Sequence, residues 1–323
     1  MSIIEQAAKR LEELRRAGIE VPNMPLPPAP GPASVPAAAR PELQADVRAA
    51  VAAAVAMPAS ATAPTTAPTT VSAPAVSTPA RRSREVRIDV ARLEREGYLV
   101  PSQARSQLAE QMRIVKRPLL ANARGDSGQA IARPNLIQVA SALPEEGKTF
   151  FAINLAMSIA MEVDHHVLLV DADVLRPSVL GRLGVEPAPG LMDVLKNKDL
   201  SLGDVLLRTN IDKLSLLPAG TAHKNSTELL ASTAMDELLD ELASKYADRI
   251  IVFDAPPLIP TTESRVLASH MGQVVMVVEA EKTTHAQVTQ AYAAVADCPV
   301  VLSVLNKCHS KGSGNAYGYY YAT

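Results

Sequence analysis

The chain has no tryptophan and only three phenylalanines in 323 residues, so any core it builds must be aliphatic. Its two cysteines, Cys298 and Cys308, offer neither the paired spacing of a zinc site nor a disulfide framework, which suits a reducing compartment. No apolar run approaches the ~18–20 residues that a bilayer span requires, and the N-terminus lacks the hydrophobic centre of a signal peptide; a cytoplasmic chain is expected. The formal net charge of −2 argues neither for nor against a polyanionic partner across the whole chain, and no nucleic-acid partner is expected.

What is present is unevenly distributed. Residues 22–80 hold 13 of the 25 prolines and 19 alanines but only four charged residues. Such a stretch has too few large apolar side chains to offset the entropy of ordering, so residues 19–80 read as a disordered Pro/Ala-rich linker. Ahead of it, Ser2 and Glu5 form a capping-box pair, and Ile4, Ala7, Leu11, Leu14 and Gly18 form a narrow seam, which predicts an amphipathic helix over residues 1–18. After the linker, residues 81–124 carry eleven Lys or Arg against five Asp or Glu. Two helices, Ile88–Glu96 and Ser106–Lys116, are expected there, broken at Gly97–Pro101, as a basic helical segment spanning 81–130.

From residue 131 to 309 the pattern becomes that of an α/β domain. The runs Leu136–Ala142, Val167–Asp171, Leu214–Leu217, Ile250–Asp254, Val274–Glu279 and Val300–Asn306 are short, nearly continuous in Val, Ile and Leu, and separated by longer amphipathic stretches. Strands of a parallel sheet covered on both faces read this way. The expected architecture is a doubly wound, mostly parallel sheet, whose ligands sit beyond the carboxyl ends of its strands.

Directly after the first of these strands comes Ala142-Leu143-Pro144-Glu145-Glu146-Gly147-Lys148-Thr149, and then a helical run from Phe150 to Met161. A strand, a tight loop and Gly-Lys-Thr opening a helix place backbone N–H groups and a positive helix end around an anion. Lys148 is expected on the β- and γ-phosphates of ATP, and the Thr149 hydroxyl on Mg²⁺. Two further strands end in carboxylates: Asp171 and Asp173 after Val167–Val170, and Asp254 after Ile250–Phe253. Carboxylates at neighbouring strand tips beside a phosphate loop suit Mg²⁺, which takes oxygen ligands and keeps several waters.

These segments resemble the bacterial tyrosine kinase family, the P-loop autokinases of polysaccharide export, over Glu110 to the C-terminus. Ala142–Thr149 is similar to the family's Walker A segment, Val167–Pro177 to its Walker A′ and Ile250–Pro257 to its Walker B. Glu110, Arg113 and Lys116 resemble its oligomerisation motif, with Lys in the last place, and Tyr317, Tyr319, Tyr320 and Tyr321 its C-terminal tyrosine cluster. Among subfamilies the likeness is to the cytoplasmic autokinases of exosortase-associated exopolysaccharide operons. The resemblance implies a P-loop NTPase fold of the ParA/MinD-like kind and a protein tyrosine autokinase using ATP and Mg²⁺. Its phosphorylation would occur in trans within a ring of subunits, on the flexible tail 310–323. It further implies protein tyrosine substrates and a separate membrane-bound polysaccharide co-polymerase as activator, which would recruit the chain to the inner face of the plasma membrane.

On that likeness, Pro144, Glu145, Glu146, Gly147, Lys148, Thr149, Phe150, Arg176 and Asn306 would surround the nucleotide. Lys148, Asp171, Asp173 and Asp254 would be catalytic, and Thr149, Asp171, Asp173 and Asp254 would serve the metal. Asp171 is the favoured acceptor of the tyrosine proton. Two departures stand out. Glu145 occupies a loop position that is Gly in the family, which costs on the order of 1 kcal/mol if φ there is positive. Leu175 stands where the family has Arg, with Arg176 one place later. A partitioning ATPase of the ParA/MinD type and a weakly active nucleotide-binding scaffold remain alternatives; the first would carry Lys at the position of Leu143.

Overall fold

The computed structural model describes residues 84–308, apart from Ser127 and Gln129. The expected N-terminal helix, the Pro/Ala linker and the tyrosine tail lie outside the described residues. Eight strands form one sheet: β1 (Arg84–Val86), β2 (Leu136–Ser141), β3 (His166–Asp171), β4 (Leu207–Thr209), β5 (Leu214–Leu217), β6 (Arg249–Asp254), β7 (Gln273–Glu279) and β8 (Val300–Asn306). Their order is β1-β4-β5-β3-β6-β2-β7-β8. Every neighbouring pair is parallel except β4 with β5. This is the doubly wound, mostly parallel sheet expected, and the six aliphatic runs supply all of its strands except the two short ones, β1 and β4.

Alternation along each strand divides the core between the two faces. Ile137, Val139, Val167, Leu169, Ile250 and Val252 face one side, where α1 (Val90–Arg95), α2 (Gln107–Arg124), α3 (Lys148–Ala160) and α4 (Val179–Leu183) cover them. Leu136, Leu168, Val170, Ile251 and Phe253 face the other. There they meet α5 (Leu191–Lys196), α6 (Leu202–Val205), α7 (Ser226–Leu230), α8 (Thr233–Lys245) and α9 (Glu263–Ser269), while α10 (His285–Ala293) covers the β7 side. Helix α3 is buried along almost its whole length, as a helix at the centre of such a fold must be.

The helices before β2 start and stop where local chemistry directs. Asp89 caps α1 by accepting from Arg92 N at 3.0 Å, and Ser106 caps α2 by accepting from Ala109 N at 3.2 Å. Helix α2 runs past the expected end at Lys116, through Pro118, to a left-handed Gly125. Pro118 forfeits one intrahelical bond toward Ile114, whose side of the helix is open to water, while Leu119 and Leu120 are buried beyond it. Their burial outweighs the break.

The segment before residue 130 packs with the residues that follow it. Ile88, Leu93, Tyr98, Leu99 and Val100 share one core with α3. Asn154, fully buried in α3, accepts from Leu99 N at 2.6 Å and donates to Phe150 O at 2.8 Å. From α2, Asn122 donates to Gln273 Oε1 at 2.9 Å, and Gln273 donates back to Leu119 O at 3.1 Å. Asn154→Ala would leave the buried Leu99 amide without an acceptor, at a cost of about 1–3 kcal/mol. A fall in melting temperature of roughly 3–8 °C is expected in thermal denaturation followed by circular dichroism.

Candidate active site

Strand β2 ends at Ser141 and α3 begins at Lys148, so residues 142–147 make the connecting loop over the sheet's carboxyl edge. Two of its residues take positive φ: Glu145 at +67° and Gly147 at +96°. At Gly147 the positive φ disfavours any side chain, and a Cβ would also displace Asn306 Nδ2, 2.2 Å away, from the loop. Glu145 has no such licence, and its strained carbonyl is held by Lys307 Nζ at 2.7 Å. Asn306 Nδ2 holds the next carbonyl, Glu146 O, at 2.8 Å. The Glu146 side chain turns inward: Oε2 accepts from Leu143 N at 2.7 Å and Oε1 accepts from the Thr283 hydroxyl. With its carbonyls tied behind it, the loop is left with amide N–H groups to offer an anion.

The acidic residues arrive from adjacent strands. β3 and β6 are paired in a register that sets Asp171 opposite Asp254. Asp171 Oδ2 accepts from Ser178 N and Val179 N, both at 3.0 Å, while its Oδ1 has no hydrogen-bond partner. Neither oxygen of Asp254 meets a partner in good hydrogen-bond geometry, although the residue is 0% exposed; only the neighbouring Thr149 hydroxyl favours its charged form from close by. Burial pushes the Asp254 carboxyl up to about 7, opposed by the Lys148 charge and reinforced by Asp171. Burial likewise pushes Asp171 up to about 6, against the pull of the Val179 and Ser178 amides. Asp173 is spent on neighbours: Oδ2 pairs with Lys148 Nζ at 3.1 Å and Oδ1 accepts from Arg176 N at 3.1 Å. The Thr149 hydroxyl lies 3.3 Å from that of Ser178.

A cleft of about 780 Å³ opens above the loop. Of the residues expected around a nucleotide, Pro144, Glu145, Gly147, Lys148, Thr149, Phe150 and Arg176 line it, together with Asp173. Asp171 and Asp254 sit buried at the strand tips rather than on its wall, and Asn306 lies behind the loop. Leu175, in place of a basic residue, is 55% exposed at the lip. Three lining residues were not foreseen: Ser178, Arg182 and Lys307. Lys307 adjoins Asn306 in sequence and could have been read with it; Ser178 and Arg182 carry no spacing signal. Arg182 reaches the hydroxyl of Tyr98 at 3.3 Å, and Tyr98 packs against Phe150 with centroids 4.9 Å apart.

The residues grouped as an oligomerisation motif separate. Glu110 and Arg113 pair with each other on α2, and Arg113 also donates to Ala104 O at 3.1 Å. Lys116 is 3% exposed; its ammonium donates to Ser158 O and pairs with Glu162 Oε1 at 2.7 Å. At the next turn of α2 the Lys116 side chain points into the protomer, where a buried ammonium needs these partners. Tyr317, Tyr319, Tyr320 and Tyr321 lie outside the described residues.

The residues present fit a magnesium nucleotide. Three buried carboxylate oxygens without partners are costly unless something completes them, and a cation or its water shell would do so. Among the described residues no three His, Cys, Asp or Glu side chains converge to hold an ion by themselves. Mg²⁺ needs no such cage, since it shares one or two carboxylates with waters and phosphates.

Two outcomes follow for the nucleotide-free protein. The Asp254 carboxyl has an ordinary value of 3.8 and a folded value of about 7, so its contribution favours folding below about pH 4 and is lost as pH rises through 7. Asp254→Asn is therefore expected to melt above the parent at pH 8, by on the order of 2–4 kcal/mol, with the gap closing near pH 4–5 in a series of thermal melts. Glu145→Gly relieves the positive φ and removes a carboxylate from the lip. Calorimetry should show tighter ATP binding, and melts should show a gain of about 1 kcal/mol.

The AAA domain family matches residues 137–306, from within β2 to the last residue of β8. The chain is 34% identical over 187 residues to the tyrosine-protein kinase YwqD of Bacillus subtilis strain 168, an alignment covering 57% of this chain and 76% of YwqD. It is 33% identical over 152 residues to the tyrosine-protein kinase ptk of Acinetobacter johnsonii, covering 47% of this chain but only 20% of that much longer protein. Among solved structures, the VpsO kinase domain aligns over its whole length and 62% of this chain, at 29% identity and a TM-score of 0.51. By its P-loop, its paired strand-tip aspartates and these relatives, the chain belongs to the bacterial tyrosine-protein kinases.

Proposed function

We propose that the chain is an ATP-dependent protein tyrosine autokinase that phosphorylates Tyr317, Tyr319, Tyr320 and Tyr321 and thereby regulates exopolysaccharide synthesis or export. One observation carries the reading most: Lys148 is poised on Asp173 at the mouth of a phosphate loop, beside buried, unpartnered carboxylate oxygens on two adjacent strand tips. Family membership supplies the reaction class.

Phosphoryl transfer asks a protein for alignment and charge neutralisation more than for covalent chemistry. Lys148 would exchange Asp173 for β- and γ-phosphate oxygens, and the amides of residues 145–149 would hold the remaining charge. Bound Mg²⁺ would supply charge neutralisation across the β- and γ-phosphates, held through Thr149 and, by water, Asp254, with Asp173 orienting its shell. Arg176 stands at the cleft where the family's Leu175-position Arg is missing. Asp171 is the candidate to take the phenol proton, which a group with a pKa near ~10 gives up late in transfer.

The remaining parts of the reading follow the family. A homo-oligomer, possessing ring symmetry and assembled through Glu110 and Arg113 on α2, would present the tail of one subunit to the cleft of the next. Among the described residues no helix is long and apolar enough to cross a membrane. A separate membrane-bound polysaccharide co-polymerase would act as activator and bring the kinase to the membrane's inner face, where other proteins could serve as tyrosine substrates.

Incubation of the full chain with ATP and Mg²⁺, followed by mass spectrometry, is expected to place phosphate on the tail tyrosines. Lys148→Met should lower that incorporation by at least 100-fold, on the scale of losing one main phosphate contact. Hydrolysis of ATP without phosphotyrosine would instead indicate a positioning ATPase, and neither activity a scaffold.

A further inference from the structure

Five non-glycine residues among those described take positive φ, and three of them fall on one connected set of contacts beside the nucleotide cleft: Glu145 at +67°, Glu281 at +61° and Lys307 at +57°. Glu145 and Lys307 both line the cleft. A side chain makes that backbone region unfavourable, so it persists only where the surroundings hold it, and such strain gathers at functional sites. Glu145 is held by Lys307, the residue after β8. The Lys307 ammonium donates to Glu145 O at 2.7 Å and pairs with Glu279 Oε2 at 3.2 Å. Glu279, the last residue of β7, takes Lys282 Nζ on the same oxygen, also at 3.2 Å, and Glu281 directly precedes that lysine. The Glu279 side chain is 13% exposed against 41% for Lys307, so the carboxylate is the anchored end of the pair.

The bond to Glu145 O decides where an amide points. A trans peptide unit is planar, so its C=O and the N–H that follows aim in opposite directions. With Glu145 O drawn to Lys307, the Glu146 N–H is turned the other way, and no acceptor among the described residues takes it. The next unit repeats the arrangement: Asn306 Nδ2 holds Glu146 O at 2.8 Å, and the Gly147 N–H is likewise without an acceptor among the described residues. The two units differ in what opposes them. Gly147 adopts its φ of +96° without a side chain to object. Glu145 has one, and its relaxation toward negative φ would swing the peptide between residues 145 and 146 and carry the Glu146 amide out of line.

We propose that Lys307 is a positioning residue for nucleotide binding. By holding the Glu145 carbonyl, and being held in turn by Glu279, it keeps the Glu146 amide aimed at the phosphates. The task exists because position 145 carries a side chain; with glycine there the loop has no drive to relax and the ammonium little left to restrain. The inference rests on the reading of residues 142–149 as the loop that binds ATP, and adds which residue keeps that loop in its binding shape. Lys307 acts through the backbone of Glu145 and not by touching the nucleotide.

A double-mutant cycle tests this, read as the Kd of Mg²⁺-ADP by calorimetry on the full chain, since loop amides serve the phosphates that ADP retains. The four proteins are the parent, Lys307→Met, Glu145→Gly and the variant carrying both changes. In the parent background Lys307→Met is expected to raise Kd about tenfold, the scale of one hydrogen bond from a charged donor. In the Glu145→Gly background the same change is expected to move Kd by less than about twofold, within the error of independent sites. Lys307→Arg, which keeps a charged donor of similar reach, is expected to stay within about threefold of the parent. Glu279→Gln, which loosens Lys307 without removing it, is expected to weaken binding in the parent background and to have no effect beside Glu145→Gly. An equal loss from Lys307→Met in both backgrounds, as direct contact of Lys307 with a phosphate would give, overturns the inference; so does no loss in the parent background. A parent that binds no Mg²⁺-ADP would overturn the reading of the loop itself, and the role of Lys307 with it.

Discussion

The register between β3 and β6 is the constraint on which the rest of the site depends. It sets Asp171 against Asp254 at the carboxyl edge of the sheet, beside the loop that leaves β2. Two carboxylates so close, with three oxygens lacking any partner, would separate if the local structure were free to do so. They are held by aliphatic ladders below them, in which Leu168, Val170, Ile251 and Phe253 are almost wholly buried on one face and Leu169 and Val252 on the other. Hydrophobic burial in the strands thus sustains an electrostatic strain at their tips, and a bound cation is the natural relief of that strain.

The phosphate loop shows a related division of labour. A glutamate at φ +67° is an unfavourable choice, and the surrounding residues compensate from three directions. Lys307 and Asn306, at the end of β8, hold consecutive carbonyls; Glu146 braces the loop against its own start and against Thr283. The loop's shape is consequently set by residues more than one hundred positions away in sequence. Lys307, the residue after β8, thus ties that strand's end directly to the phosphate loop.

Behind the loop, α3 is the hub that joins the front of the chain to the catalytic edge. Its Asn154 holds the Leu99 backbone, its Ser158 carbonyl receives Lys116, and its Phe150 packs on Tyr98. The segment that looks like a basic connector by composition is therefore part of the body that orients the P-loop helix. Its positive charge is used partly inside, where Lys116 meets Glu162, and partly on the surface, where Arg113 meets Glu110.

The sequence by itself determined the sheet class, the six long strands, the Gly-Lys-Thr loop at a helix start and the aspartates at two strand ends. Those signals are local: an aliphatic run of four to seven residues, a Gly-Lys-Thr at a helix start, an aspartate at a strand end. The strands β1 and β4 escaped notice because three residues such as Arg-Glu-Val carry no periodicity, and only pairing with a distant partner makes them strands. Tertiary structure alone decided that Lys116 faces inward and Asn306 stands behind the loop. It also decided that Glu146 serves the backbone and that Ser178, Arg182 and Lys307 reach the cleft. The reason is that a side chain's role depends on which surface it meets. Spacing along the chain records the face of its own element and says nothing of what lies opposite.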